Sequence, residues 1–306
     1  MPASLPADGV LLLDKPRGFS STQALSRAKR ILGARKAGHT GTLDPFATGL
    51  LPIVLGEATK FSRFLIDASK AYLATLQLGA VSSTGDPEGE VMPIGVFVGD
   101  TSRIDEVLAN FRGPQEQVPP MHSAVRIGGR RLYDIAREGA EVDRAARLIH
   151  IHSLERISFQ GDTLVLAVTC SKGTYVRTLA AQIGEALGCG AYLTGLRRTA
   201  VGVFSLDDAI ALDALADLPR PEAIRRLLPP EALAGSLPRL EADSVSAVRF
   251  TQGQPLECPG STAGQDIAVF GPGPAFLGVG RVEADGWLAP LRLMATGETA
   301  KLPDFP

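Results

Sequence analysis

An apolar run from Val10 to Leu13 opens the chain and reads as a short buried strand. Ser20 or Ser21 then supplies an N-cap for a helix in which Leu25, Ala28 and Leu32 recur at helical spacing, and Gly33 ends it. "LLPIVLG" is a compact apolar segment, "EATKFSRFLI" predicts a helix, and "KAYLATLQLG" alternates as a strand with Tyr72, Ala74, Leu76 and Leu78 on one face. A turn-rich loop, "VSSTGDPEGE", leads to a helix near Arg103 to Phe111. Two prolines in "QVPPMHSAVRIGGRRLYDIAREG" then stop regular structure ahead of a hairpin-like "IGGR" and a further helix. "DTLVLAVTCS" alternates as another strand, and "KGTYVRTLAAQIGEALG" is a helix entered through Gly173. Strands and helices mixed in this way over roughly 230 residues predict an α+β fold built around a largely antiparallel sheet flanked by helices.

The Pro-rich stretch "LLPPEALAGSLPRLEA" marks a boundary near residue 235, which divides the chain into units of residues 1–235 and 236–306. In the second unit "VRFTQGQPL", "DIAVFG" and "AFLGVGRVEADGWLAPLRLMA" are short strands punctuated by Gly and Pro, as in a small β-barrel or sandwich.

Composition narrows the chemistry. Hydrophobic residues make up 45% of the 306 and charged residues 21%, the mix of an ordinary globular protein. No apolar run approaches the ~18 residues of a membrane span. The N-terminus lacks a basic n-region and carries Asp8 and Asp14 around its apolar run, which argues against a signal peptide and for a cytoplasmic protein. Three cysteines, Cys170, Cys189 and Cys258, lie far apart without CxxC spacing, which argues against disulfides and zinc alike. His150 and His152 read as alternate positions on one strand face.

Charge is uneven although the net is only -2. Between Asp14 and Asp44 there is no acid, yet Lys15, Arg17, Arg27, Lys29, Arg30, Arg35 and Lys36 fall there. Part of that run sits in the last turns of the first helix, where the macrodipole favours cations; Arg35 and Lys36 lie beyond it. Arg126, Arg130 and Arg131, then Arg197 and Arg198, add further basic groups. The tail from residue 236 carries five bases against eight acids, so a polyanion partner would engage the first unit.

The basic run leads into "GHTGTLDPFATGLLPI", where Asp44 stands in a loop of glycines, threonines and a proline. An isolated Asp-Pro is ordinarily a turn, but Pro45 fixes the chain after Asp44 while Gly38, Gly41 and Gly49 allow close backbone approach. One Asp and one His five residues apart make too few ligands for a metal, G-x-S-x-G is absent, and the loop holds no second carboxylate for glycoside hydrolysis. What remains is a lone carboxylate acting as nucleophile or base and steered by an arginine.

"AGHTGTLDPFATGLLPI" resembles the signature G-H-x-G-x-L-D-x-x-A-x-G of the TruB-type tRNA pseudouridine synthases, in which the aspartate is catalytic. "LLLDKPRGFSSTQAL", "KAYLATLQLG", "QVPPMHSAVRIGGRRLYDIAREG" and "CSKGTYVRTLAAQIGEALGCGAYLTGLRRTAVGVF" join it in family order, from about Val10 to Phe204, and the tail is similar to the small PUA-like domain of bacterial members. The resemblance implies isomerisation of uridine 55 in the T arm of tRNA by base flipping, without cofactor, metal, membrane or obligatory protein partner, in a monomer. It implies Asp44 as the nucleophile or base, Arg177 as its ion-pair partner, and Tyr72 as the ring that stacks on the target base and handles a proton. Tyr175 and Leu196 would line the uracil pocket, His39 would fill the space that the flipped base vacates, and Lys15, Pro16, Arg35 and Lys36 would meet RNA backbone. His122, Arg126 and Gly128 depart from the family's usual Tyr, Lys and Asn. Two other readings are a guide-RNA-dependent synthase and an RNA-binding or tRNA-folding protein without required catalysis.

Overall fold

A computed structural model of the chain describes residues 7–123, 125–140 and 142–295. Its strands are β1 (Gly9–Lys15), β2 (Ala37–His39), β3 (Thr48–Leu55), β4 (Lys70–Leu78), β5 (Ala80–Ser82), β6 (Val91–Pro93), β7 (Gly113–Gln117), β8 (Arg126–Ile127), β9 (Arg130–Arg131), β10 (Arg147–Gln160), β11 (Thr163–Cys170), β12 (Ala191–Val201), β13 (Phe204–Ser205) and β14 (Ile210–Ala211), followed in the tail by β15 (Arg239–Glu241), β16 (Leu256–Glu257), β17 (Asp266–Phe270), β18 (Phe276–Val282) and β19 (Trp287–Leu293). The helices that matter for the site are α1 (Ser21–Leu32), α2 (Arg63–Ile66), α3 (Thr101–Asn110), α4 (Leu132–Arg137) and α5 (Val176–Ala186).

The first unit is one mixed sheet in the order β14-β1-β3-β12-β4-β11-β10-β7, with β2 added to β3 and β13 to β12. Only the β1–β14 and β3–β12 pairs are parallel. The period-two pattern of the central strands assigns each residue to a face. On β1, Leu11 and Leu13 join a core shared with α1 and α5, while Val10 and Leu12 join a second core on the opposite face. That second core includes Ala268, Phe270 and Val279, so the tail's sheet, β15-β17-β18-β19-β16, packs against the back of the main sheet. On β4, Ala74, Leu76 and Leu78 are buried beneath the helices and Leu73 is exposed.

The ends of α1 follow from its sequence. Ser20 and Gln23 form a reciprocal capping box, and Gly33, left-handed at φ 63°, closes the C-terminus. "EATKFSRFLI" does not make one helix as expected: Gly56–Phe61 is 3-10 and only Arg63–Ile66 is α-helical. Phe61, Ala58 and Leu65 are drawn into the second core at a spacing that a tighter turn serves. The "VSSTGDPEGE" loop is flanked by a small hairpin, β5 with β6. Among the described residues no helix is long and apolar enough to cross a membrane.

Candidate active site

Strand register builds the floor of the site. Lys15 on β1 lies opposite Gly49 on β3, Gly49 opposite Arg198 on β12, Arg198 opposite Tyr72 on β4, and Tyr72 opposite Val168 on β11. One row across five strands therefore aims Lys15, Arg198, Tyr72 and Val168 at the same face. Gly49 permits it: at φ 102° a Cβ there would stand 2.3 Å from the Arg198 carbonyl oxygen. Leu196, two residues before Arg198, lies on this face opposite Ala74 and is buried.

The loop from β2 to β3 sits on that row and is fastened from several directions. The Ser21 hydroxyl both donates to the Leu43 carbonyl (2.9 Å) and accepts from the Leu43 amide (2.7 Å). The Pro45 carbonyl accepts from the Gly18 amide (2.8 Å) and from Lys15 Nζ (3.4 Å), and Arg198 Nη2 donates to the Gly41 carbonyl (3.1 Å). Backbone polar groups of the Asp44 loop are thus tied to α1 and the sheet, which holds the carboxylate at a fixed point.

Asp44 meets Arg177 on the first turn of α5. Arg177 Nε lies 3.0 Å from Asp44 Oδ2, and Nη2 lies 3.4 Å from Oδ1. The same guanidinium donates to the Thr84 carbonyl (2.9 Å) and the His122 carbonyl (2.7 Å), and its Nη1 lies 3.3 Å from Asp86 Oδ2. Asp86 is buried at 3% exposure and further accepts from Thr84 Oγ1 (2.6 Å) and the Glu88 amide (3.0 Å). Burial raises the Asp44 carboxyl above the usual carboxylate range; Arg177 opposes that shift and Asp86 adds to it. The arrangement offers an oriented, partly exposed carboxylate whose charge is secured by a buried arginine, the requirement for a nucleophile or base.

Tyr72 is half-buried, and burial raises its phenol, with the Arg198 charge opposing. Tyr175 caps α5, its backbone clamped by buried Gln117, which accepts from the Tyr175 amide (2.7 Å) and donates to its carbonyl (3.2 Å). His39 ends β2, half-buried, and burial lowers its imidazole so that the ring is neutral near pH 7. Pro16 is half-buried, whereas Arg35 and Lys36 are exposed between α1 and β2.

Lys15 requires a correction. It is fully buried, and its ammonium donates to the Pro16, Phe19 and Pro45 carbonyls (2.9, 2.7 and 3.4 Å), so it is withdrawn from any RNA phosphate. Burial lowers it to about 8 against the pull of Asp44. Its work is internal, holding the turn after Asp44. Three residues went unnoticed in the sequence: Asp86, Gln117 and the role of Arg198. Asp86 had a signal, because "GDPEGE" repeats the Asp-Pro step of the Asp44 loop; Gln117 had none.

Comparison with known proteins shows the family. Residues 29–176 match the model described as TruB family pseudouridylate synthase (N terminal domain), residues 177–233 the tRNA pseudouridylate synthase B C-terminal domain, and residues 238–294 the C-terminal part of pseudouridine synthase II TruB. A tRNA pseudouridine synthase B of Aromatoleum aromaticum is 52% identical over 96% of this chain and 95% of its own length. That of Burkholderia mallei is 49% identical over 95% and 98%. Among solved structures, a Cbf5-Nop10-Gar1 complex contains a chain 28% identical to this one, with a TM-score of 0.72 over 90% of this chain and 78% of that one. With family models matched from residue 29 to residue 294, and relatives about half identical over nearly their whole length, this chain belongs to the TruB family of pseudouridylate synthases.

Proposed function

We propose that the chain converts uridine 55 in the T arm of tRNA to pseudouridine, acting in the cytoplasm as a monomer without guide RNA, partner protein or cofactor. The observation that carries this reading is the Asp44 carboxylate, ion-paired at 3.0 Å to Arg177 in a loop fastened to the sheet on several sides. In the reaction the C1'–N1 bond breaks, a C1'–C5 bond forms, C5 loses its proton and N1 gains one. An ionised carboxylate serves by adding to C1' or to the base, or by taking a proton from the sugar, and then leaving; these routes share the same need for Asp44 held charged and aimed.

A buried uridine must leave the stack to reach Asp44, at a cost of a few kcal/mol. The neutral His39 ring fills the vacated space, Tyr72 stacks on the flipped base, and Tyr175 and Leu196 enclose it. Exposed Arg35 and Lys36, and at the other end of β1 the half-buried Pro16, meet the RNA backbone, the two cations supplying the salt-dependent part of affinity. We divide the labour at residue 235: residues 1–235 carry the chemistry, and residues 236–306 form a PUA-like unit whose own core includes Phe250, Val269 and Leu288. Its acidic balance leaves backbone binding chiefly to the first unit.

The test is to incubate an unmodified tRNA transcript with the protein, label pseudouridine with a carbodiimide and map reverse-transcription stops. A single new stop reporting position 55 supports the assignment. Stops elsewhere in the tRNA, or none, overturn the site, and modification only in the presence of a guide RNA favours the guide-dependent alternative.

A further inference from the structure

Gln117 ends β7, an edge strand of the main sheet, and is buried at 2% exposure. Its side-chain amide meets the entry of α5, 58 positions farther along the chain, and holds one residue there by both of its backbone polar groups. Oε1 accepts from the Tyr175 amide (2.7 Å), and Nε2 donates to the Tyr175 carbonyl (3.2 Å). Helix capping does not explain the pair. A capping side chain accepts from the N2 or N3 amide; Tyr175, the N-cap of α5, makes no such bond, and Gln117 meets the N-cap residue itself rather than Arg177 or Thr178 at N2 and N3. The Tyr175 carbonyl already accepts from the Leu179 amide (3.1 Å), so the helix begins without Gln117. Upstream, the Ser171 amide fastens the chain to the His150 carbonyl (2.8 Å), but Lys172 and Gly173 beyond it are exposed, with Gly173 at φ 82°. Gln117 is thus what fixes the Tyr175 backbone between that loop and the helix, and with it the direction in which the half-buried ring leaves the chain.

We propose that Gln117 is a positioning residue for the isomerisation: by holding the Tyr175 backbone on both sides, it sets the plane of the ring that encloses the flipped base. This rests on the pseudouridine synthase reading for what the ring does. The effect runs through Tyr175 and not through the ion pair, because the Arg177 guanidinium has its own anchors in the Thr84 and His122 carbonyls (2.9 and 2.7 Å), Asp44 and Asp86. Gln117 lies opposite Arg147 on β10, so its side chain starts from a backbone that the sheet fixes. The chemistry at this position is demanding. Glutamine carries a donor and an acceptor on one planar group of the right length; methionine has no donor, an ionised glutamate has none either, and asparagine is one methylene short.

The test begins with the ring, which needs no RNA. A fluorotyrosine placed at position 175 should give one narrow 19F line in an otherwise wild-type chain, and Gln117→Met, which keeps the length and loses both bonds, should shift or broaden it. An unchanged line overturns the proposal. Should Gln117→Met not fold, Gln117→Asn takes its place in each arm. Turnover is then measured as a single-turnover rate on a T-arm stem-loop. Gln117→Met should slow the chemical step about tenfold or more while RNA affinity stays within about threefold, and Gln117→Glu, whose carboxyl burial favours in the protonated form that can make both bonds, should recover part of the rate. In a Tyr175→Leu background Gln117→Met should cost less than about twofold more, because with the ring gone there is nothing left to place. Losses that multiply in that background would mean that Gln117 only braces the fold, and would overturn the proposal. Should the wild type bind the stem-loop without turnover, the isomerase reading fails, while the 19F line still decides whether Gln117 holds Tyr175.

Discussion

Replacing Arg177 with lysine keeps the charge and discards the fork, which makes Arg177→Lys the sharpest probe of how Asp44 is held. The guanidinium reaches both Asp44 oxygens (3.0 and 3.4 Å), the buried Asp86 carboxylate (3.3 Å), and the Thr84 and His122 carbonyls (2.9 and 2.7 Å). A single ammonium cannot span that set. It forfeits at least the second contact to Asp44 and the contact to Asp86, each a charge-assisted bond of about 1.5–3 kcal/mol. Together they come to about 3–6 kcal/mol, and if the whole loss falls on the reacting geometry the chemical step slows by about 10²–10⁴-fold. The assay is single-turnover release of tritium from a T-arm stem-loop labelled at uridine C5, run beside an equilibrium binding measurement. Affinity should stay within about threefold, because Arg177 is buried and faces carboxylates and carbonyls rather than RNA. A slowing of less than about tenfold, or an equal loss of affinity, would refute the reasoning that the fork aims the carboxylate.

Other perturbations have definite signs. Burial and Asp86 both raise Asp44, so activity should fall on acidification above the usual carboxylate range; Asp86→Asn removes one raising charge and should move that acid limb to lower pH while slowing turnover about tenfold or more, read from a pH profile of single-turnover rates. Lys15 binds its proton less tightly folded (about 8) than unfolded (10.5), so the stability of the wild type relative to Lys15→Met should rise as pH goes from about 8 to 10.5, and denaturant titrations across that window check it. Gly49→Ala puts a Cβ on the Arg198 carbonyl at a backbone angle of 102°, and should lower stability by more than about 1 kcal/mol in thermal unfolding.

Much of this was legible in the sequence because local pattern and burial agree. Alternation on "KAYLATLQLG" gave the strand and the face of Tyr72, and Ser20 and Gly33 gave the ends of α1. What was hidden depends on register between distant strands. Lys15 counts as one more base in an acid-free run until β1 pairs with β3 and turns it inward under the loop. Arg198 looks like half of a basic pair, yet strand alternation sends it to the buried face while Arg197 faces the other way and pairs with Asp14 at 2.8 Å. Asp86 lies 42 positions from Asp44 and meets its ion pair only because α5 supplies an arginine that reaches both.

The most direct measurement is tritium release from the C5-labelled T-arm stem-loop by the wild type and Asp44→Asn side by side, with RNA binding measured on both. Release by the wild type alone, with both proteins binding alike, is the predicted result and assigns the chemistry to Asp44. Binding by both with release by neither would make the chain an RNA-binding protein and contradict the account, and equal release by both would place the chemistry elsewhere.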